Sequence, residues 1–427
     1  MERNNLSINK SGNLTVGGVD TCLLAKEYST PLYVLDEDII KRNAKVFVNA
    51  LEKYASPGSL AFYASKALSF VEIYKIVSAA GMGSDLVSSG EIYTAVKAGF
   101  DMSNTIFHGN NKTDFDIEYG IKNKVGFFAV DNLEELSSLD RIAGYLGVKQ
   151  DILLRLTPGV DAHTHEAVAT GKVDSKFGFA MFTADAKNAA KTAAGLKNVR
   201  IRGYHCHIGS QISEIEPFLK TVDIMLDFIK DTDIKTDILN IGGGFGVAYL
   251  AHDPALNVDS AIKAICGRIK EKSRENNISE PILFLEPGRA IVANAGLTLY
   301  TVGSVKRLPG VKNYVSIDGG MADNPRYALY KSPYTCVIAN KMEEDGDFLC
   351  SVAGRCCESG DLIQEDVLLP KPTRGDILAV LDTGAYNFSM ASNYNRLPRP
   401  AVVIVSGGAP RVAVRRESLE HLTCNDV

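Results

Sequence analysis

Between residues 60 and 288, eight short apolar runs recur, each followed by a loop and a helix-like stretch. They are LAFYAS (60–65), GSDLVS (83–88), TIFHG (105–109), VGFFAVD (125–131), DILLRLTP (151–158), RIRGYHCHIG (200–209), DILNIGG (237–243) and ILFLEPG (282–288). Among the intervening segments, NLEELSSLDRIAGYL (132–146) and EIEPFLKTVDIMLDFIK (214–230) place apolar residues at i, i+3, i+4 and i+7, the period of an amphipathic helix. The run Asp131–Glu134 has N-cap character. Strand followed by helix, repeated about eight times over roughly 230 residues, matches the size of a (β/α)8 barrel of the TIM type. A doubly wound open sheet is the alternative that the same alternation allows.

The texture changes near residue 290. YTVGSVKRL (300–308), NYVSIDGG (313–320), YTCVIAN (334–340), FLCSVAG (348–354), DILAVLDTG (376–384) and AVVIVSGG (401–408) are β-rich, punctuated by glycine and nearly free of helix. That is the pattern of an antiparallel sheet or barrel. LSINKSGNLTVGG near the N-terminus reads as a hairpin that joins it. The expected fold is therefore α/β plus all-β: a barrel over 35–290, and a discontinuous β domain formed by 1–34 and 291–427.

Composition narrows the function classes. Net charge is −5, which argues against a nucleic-acid footprint or a basic membrane-binding face. No apolar run approaches the roughly 20 residues of a membrane span, and MERNNLSINKSGNLTVGG has no apolar signal-peptide core. The eight cysteines show no CxxC pair, so they read as thiols in a reducing cytoplasm.

In a barrel, chemistry sits at the C-terminal ends of the strands. Those ends carry Lys66, Asp85, His108, Asp131, Arg155, His207, Gly242–Gly244 and Glu286–Arg289. The set suits an anionic, electron-accepting cofactor held covalently. Taken singly, each member has a plainer reading. Lys66 could be a solvated charge, although partial burial and neighbouring charge would make it a nucleophilic amine. GGGFG (242–246) could be an ordinary turn, or a backbone cradle for an anion; it matches neither dinucleotide nor Walker phosphate motifs. His205 and His207, two apart on an expected strand, should face the same way. They suit a metal pair without an evident third ligand, an imidazole flat on a ring, or a core histidine. Glu286 of EPGR could protonate a ring nitrogen or pair with Arg289, which itself suits a carboxylate or phosphate. In CCESGD (356–361), acids beside the thiols should push a cysteine pKa up, as a proton donor requires.

YASKA, HIGSQ, GGGFG, EPGR, CESGD and GAYNFSMASNYN (384–395), in this order and spacing, resemble the diaminopimelate decarboxylase family, of the alanine-racemase-like class of pyridoxal-phosphate enzymes. The resemblance runs from about residue 10 to residue 420. It implies a barrel plus β domain, a homodimer with shared active sites, and decarboxylation of meso-diaminopimelate to L-lysine. It maps Lys66 onto the lysine that binds the cofactor aldehyde, and His207 onto the histidine against the ring. Asp85, Ser210, Gly243, Gly244, Gly288 and Arg289 join the cofactor site, with Glu286 as partner of the ring nitrogen. Arg289, Arg326, Tyr330, Glu358 and Tyr386 map onto substrate contacts, Tyr386 also touching phosphate. Cys357 maps onto a proton donor supplied, like Glu358, by the partner subunit. No metal is implied. Leu68 stands where the family usually has Asn, and Tyr327 where Pro is common. Rival readings are a decarboxylase for ornithine, arginine or carboxynorspermidine, an amino-acid racemase, and a cofactor-carrying protein without catalysis.

Overall fold

The computed structural model describes residues 5–160 and 175–427. Residues 1–4 of the polar N-terminus and 161–174 of the expected barrel lie outside them. The chain forms two compact units. One comprises Asn43–Val247 and Pro254–Ala290, the other Met1–Arg42, Ala248–Asp253 and Ile291–Val427.

In the first unit all eight apolar runs are strands: β1 Leu60–Ala64, β2 Gly83–Leu86, β3 Thr105–Phe107, β4 Phe127–Val130, β5 Gln150–Thr157, β6 Val199–His205, β7 Ile238–Asn240 and β8 Ile282–Leu285. They are wholly parallel, so both faces are covered and the strands read as continuous apolar runs. Two pairings decide the topology. β4 pairs β5, and β8 pairs β1 through Phe284 and Leu60. The sheet closes, and the open doubly wound alternative is excluded. Its interior is filled by Phe62, Ile106, Ala129, Leu153, Ile238 and Phe284, one residue from each of six strands. Phe62 and Phe284 meet across it at 4.7 Å between ring centres. The helix after β4 is capped by Asn132, whose side chain accepts the Glu135 N–H.

The second unit is built on a mixed sheet. Gly296–Leu308 is its longest strand, pairing antiparallel with Lys312–Ile317, Ile377–Leu381 and Leu32–Asp36. The sheet is mostly antiparallel, as expected, with two parallel pairs. Lys312–Ile317 runs parallel to Phe348–Ala353, and Leu32–Asp36 runs parallel to Ala401–Val405. Leu32–Asp36 also bears on the domain limit. The expected boundary at 34/35 cuts this strand, whose five residues are all buried. Leu362–Leu369 and Ala409–Val414 are further strands that their mixed polar composition hides. The N-terminal hairpin pairs Leu6–Ile8 with Leu14–Val16, and the Leu14 N–H donates to Ala339 O at 2.8 Å. The core gathers Leu14, Val16, Leu32, Val34, Leu297, Leu299, Leu381 and Val403.

Candidate active site

The barrel brings its strand ends together around Glu286, the residue after β8, which is only 6% exposed. One carboxylate oxygen accepts from His108 Nε2 at 2.8 Å and Asn240 Nδ2 at 2.7 Å. The other meets His205 Nε2 at 3.2 Å. Burial alone favours the neutral acid, but the two imidazole donors hold the carboxyl well below its usual range. Glu286 is thus an ionised carboxylate at the centre of the barrel mouth.

The two histidines of HCHIGSQ part company, against the expectation that they share a strand face. β6 ends at His205, and His207 lies in the following loop. His205 turns to Glu286, whereas His207 Nδ1 accepts the Gly243 N–H at 3.3 Å. Burial, then the nearby charges of Lys66 and Arg155, hold His207 neutral well below the usual imidazole range. The missing third group near His205 is now visible. His108, His205 and Glu286 bring their polar atoms within 4.8 Å of one another. The hydrogen bonds among them satisfy Glu286 and account for the grouping.

His205 carries a pH prediction. Its Nδ1 is buried without a hydrogen-bond partner among the described residues, so a second proton there would be stranded. Burial brings its pKa down to about 4 from 6.5. As pH falls through 6.5 the unfolded chain takes up a proton that the folded chain refuses until about 4, so stability is lost across that window. Urea unfolding of the apoprotein should give a free energy lower at pH 5 than at pH 7 by about 2 kcal/mol from this group. In His205→Gln, which cannot titrate, that portion of the pH dependence should vanish.

Glycines shape the wall beside Glu286. A Cβ on Gly243 would lie 2.0 Å from the Glu286 carbonyl oxygen, and one on Gly244 (φ +99°) 2.3 Å from Gly209 O. Only glycine lets these loops approach so closely. Ser210, next to Gly209, accepts from Arg289 Nη2 at 3.1 Å. A serine hydroxyl, a guanidinium and a glycine cradle that side chains would fill make a donor set suited to a phosphate. With the anionic Glu286 for a ring N–H, the residues fit pyridoxal phosphate. Gly288 packs as closely: a Cβ there would lie 2.9 Å from Ala64 Cβ.

Lys66 sits just past β1 in the 3-10 turn Ser65–Ala67, with its side chain exposed. Its charge is felt by Asp85, which ends 1% exposed on β2. Burial pushes the Asp85 carboxyl up; His108 and Lys66 oppose this. Glu91, absent from the sequence reading, lies on the same side: burial raises its pKa to about 7, and it accepts the Val87 N–H at 2.6 Å. Arg155 faces Asp131 at 3.8 Å and covers the Phe177 ring at 4.3 Å.

A second missed feature braces this mouth. Lys112 and Glu135, each with a side chain 2% exposed, pair at 2.8 Å. The ammonium also donates to Gly109 O and Ala129 O, and Glu135 accepts the Asp131 N–H. The pair thereby ties the loops that carry His108 and Asp131. Glu135→Ala strands a buried ammonium and should lower the unfolding free energy by about 3–5 kcal/mol, measured in urea.

The remaining expected residues belong to the β unit. Arg326 opens the short helix Arg326–Tyr330 and is 4% exposed. It donates to Tyr334 Oη at 2.7 Å and Ser332 Oγ at 3.1 Å, with its guanidinium 4.9 Å from the Tyr249 ring centre and 5.6 Å from that of Tyr334. Asn387 Nδ2 donates to the same Tyr334 oxygen at 3.1 Å. Among the described residues no acidic side chain pairs with Arg326. Burial disfavours its charge, but Tyr249 and Tyr334 more than restore it. Tyr386 lies near enough to act on that charge and has a left-handed backbone, φ 62°. Tyr330 is partly buried at the helix end. Cys357 and Glu358 are exposed on the loop after Phe348–Ala353, while Cys356 is half-buried with its thiol pushed up to about 11 by burial and Asp361. Among the described residues no helix is long and apolar enough to cross a membrane.

Comparison with known proteins agrees with this chemistry. Residues 37–293 match the family described as pyridoxal-dependent decarboxylase, pyridoxal binding domain. The chain is 42% identical to the diaminopimelate decarboxylase of Bacillus methanolicus, covering 96% of each, and 42% identical to that of Bacillus subtilis (strain 168), covering 98% of this chain and 96% of the relative. The crystal structure of the M. jannaschii diaminopimelate decarboxylase in co-complex with L-lysine superposes with a TM-score of 0.93 at 33% identity, covering all of this chain and 99% of the other. The chain whose barrel mouth has just been described belongs to the diaminopimelate decarboxylase family of pyridoxal-dependent enzymes.

Proposed function

We propose that this chain, with pyridoxal phosphate as cofactor, decarboxylates meso-2,6-diaminopimelate to L-lysine and CO2. One observation carries the substrate choice: Arg326 is a buried guanidinium whose partners are neutral hydroxyls and tyrosine rings. Such a group wants a carboxylate. Diaminopimelate keeps one at its far end after the other leaves as CO2; ornithine, arginine and lysine bring none.

Bound pyridoxal phosphate supplies the sink for the electron pair that the departing CO2 leaves behind. The chain's residues do the rest. Lys66 holds the cofactor's aldehyde carbon. Glu286, ionised and fixed by three donors, accepts the ring N–H and keeps it protonated. Neutral His207 suits the face of an aromatic ring. Ser210, Gly243, Gly244, Gly288, Arg289 and Tyr386 receive the phosphate, and buried Asp85 lines the same mouth. Arg326, with Arg289, Tyr330 and Tyr386, binds the far end of the substrate, and Glu358 its ammonium. Cys357 delivers the proton that replaces CO2 on carbon. The exposure of Cys357 and Glu358 supports their service to a second subunit, so the working unit is a homodimer with shared sites. The enzyme acts in the cytoplasm, where its eight free thiols stay reduced.

CO2 release from a panel of amino acids tests this directly. Diaminopimelate should be turned over and yield lysine, with ornithine, arginine, lysine and carboxynorspermidine near background. Faster release from any substrate lacking a distal carboxylate would overturn the assignment.

A further inference from the structure

CCESGD carries two adjacent thiols and ends on a buried acid. Asp361 is 3% exposed. One carboxylate oxygen accepts the Met321 N–H at 2.6 Å, the other the Cys356 N–H at 2.7 Å. Its backbone closes the loop as well: Gly354 N–H donates to Asp361 O at 2.9 Å, and Asp361 N–H to Glu358 O at 3.1 Å. The carboxylate is sheathed by glycine backbone. A Cβ on Gly354 would come within 2.2 Å of it, and one on Gly320 within 2.5 Å. On the outer side, Cys357 N–H donates to Asn395 Oδ1 at 2.8 Å. The loop is thus fixed at its base and along one flank, with Cys356 turned toward Asp361 and Cys357 and Glu358 left exposed.

We propose that Asp361 is a positioning residue for Cys357. Its buried carboxylate bolts the base of the 354–361 loop and so sets where the Cys357 thiol is presented. The inference rests on the proton-donor role proposed above for Cys357. The bolt acts on the Cys356 backbone N–H and is joined by its thiol, so a serine at position 356, which keeps both donors, preserves it. An asparagine at 361 offers a single acceptor oxygen and turns an NH2 toward one of the two N–H groups, so it cannot hold both. A displacement of about 1 Å at a reacting group costs up to about 100-fold in rate.

The test is a kinetic double-mutant cycle on the full chain loaded with pyridoxal phosphate, with diaminopimelate as substrate. Asp361→Asn should lower kcat by about 10- to 100-fold while the visible absorbance of bound cofactor is kept. The double variant Asp361→Asn/Cys357→Ala should be no slower than Cys357→Ala alone, within about 3-fold, because Asp361 acts through that thiol. Cys356→Ser, which keeps the N–H, should remain close to the unmodified enzyme. Losses that multiply in the double variant, or a Cys356→Ser variant as slow as Cys357→Ala, would overturn the anchor while leaving Cys357 as donor. An unimpaired Cys357→Ala would overturn both. If Asp361→Asn does not accumulate as folded protein, Gly354→Ala displaces the same carboxylate and is read in the same cycle.

Discussion

Lys66→Ala should leave a folded barrel that shows no visible absorbance band after incubation with pyridoxal phosphate, and decarboxylation should fall by more than about a thousandfold. The lysine stands on a 3-10 turn directly after β1, where its backbone is fixed by the closed barrel and its side chain is exposed. Alanine removes the amine without disturbing that backbone: Ala67 follows it in the same turn. Ser210, Arg289 and the glycine turn, the proposed phosphate donors, are untouched, so weak cofactor binding should persist without the covalent chromophore. A surviving chromophore of unchanged intensity would mean that another amine carries the cofactor.

Arg326→Ala should lower kcat/KM for diaminopimelate by about 100- to 1,000-fold and leave cofactor absorbance unchanged. The size follows from leaving a desolvated substrate carboxylate without its guanidinium, about 3–4 kcal/mol at 1.4 kcal/mol per tenfold. Arg326→Lys keeps the charge but loses the planar fork that spans Tyr334 and Ser332, so it should recover only part of the loss. Equal damage to cofactor binding and to turnover would argue that Arg326 holds the β unit together and does not select the substrate.

Much of the barrel is legible in the chain because parallel strands buried on both faces must be short, unbroken apolar runs, and the glycine, acid and basic groups at their ends interrupt that texture. Glu286 and the glycine turn stand out for this reason. Their supporting partners do not. Asn240, which donates to Glu286, is an ordinary strand-end asparagine 46 residues away, and Tyr334, which holds Arg326, is one of 17 tyrosines. Such partners are selected by tertiary proximity, which no local spacing encodes. The parting of His205 and His207 was hidden because β6 stops between them, and a strand's last residue depends on its neighbour's length: β7, beside it, ends at Asn240. The unit to which Leu32–Asp36 belongs was hidden for a similar reason. Leu32–Asp36 is as apolar as any barrel strand, but its partners lie at 296–299 and 401–405.

The covalent attachment point is the claim on which the rest depends. Protein loaded with pyridoxal phosphate, reduced with borohydride and digested, should yield a pyridoxyl adduct on the peptide containing Lys66, located by tandem mass spectrometry. A reduced digest with that peptide unmodified, or with the adduct on a different lysine, would contradict the account.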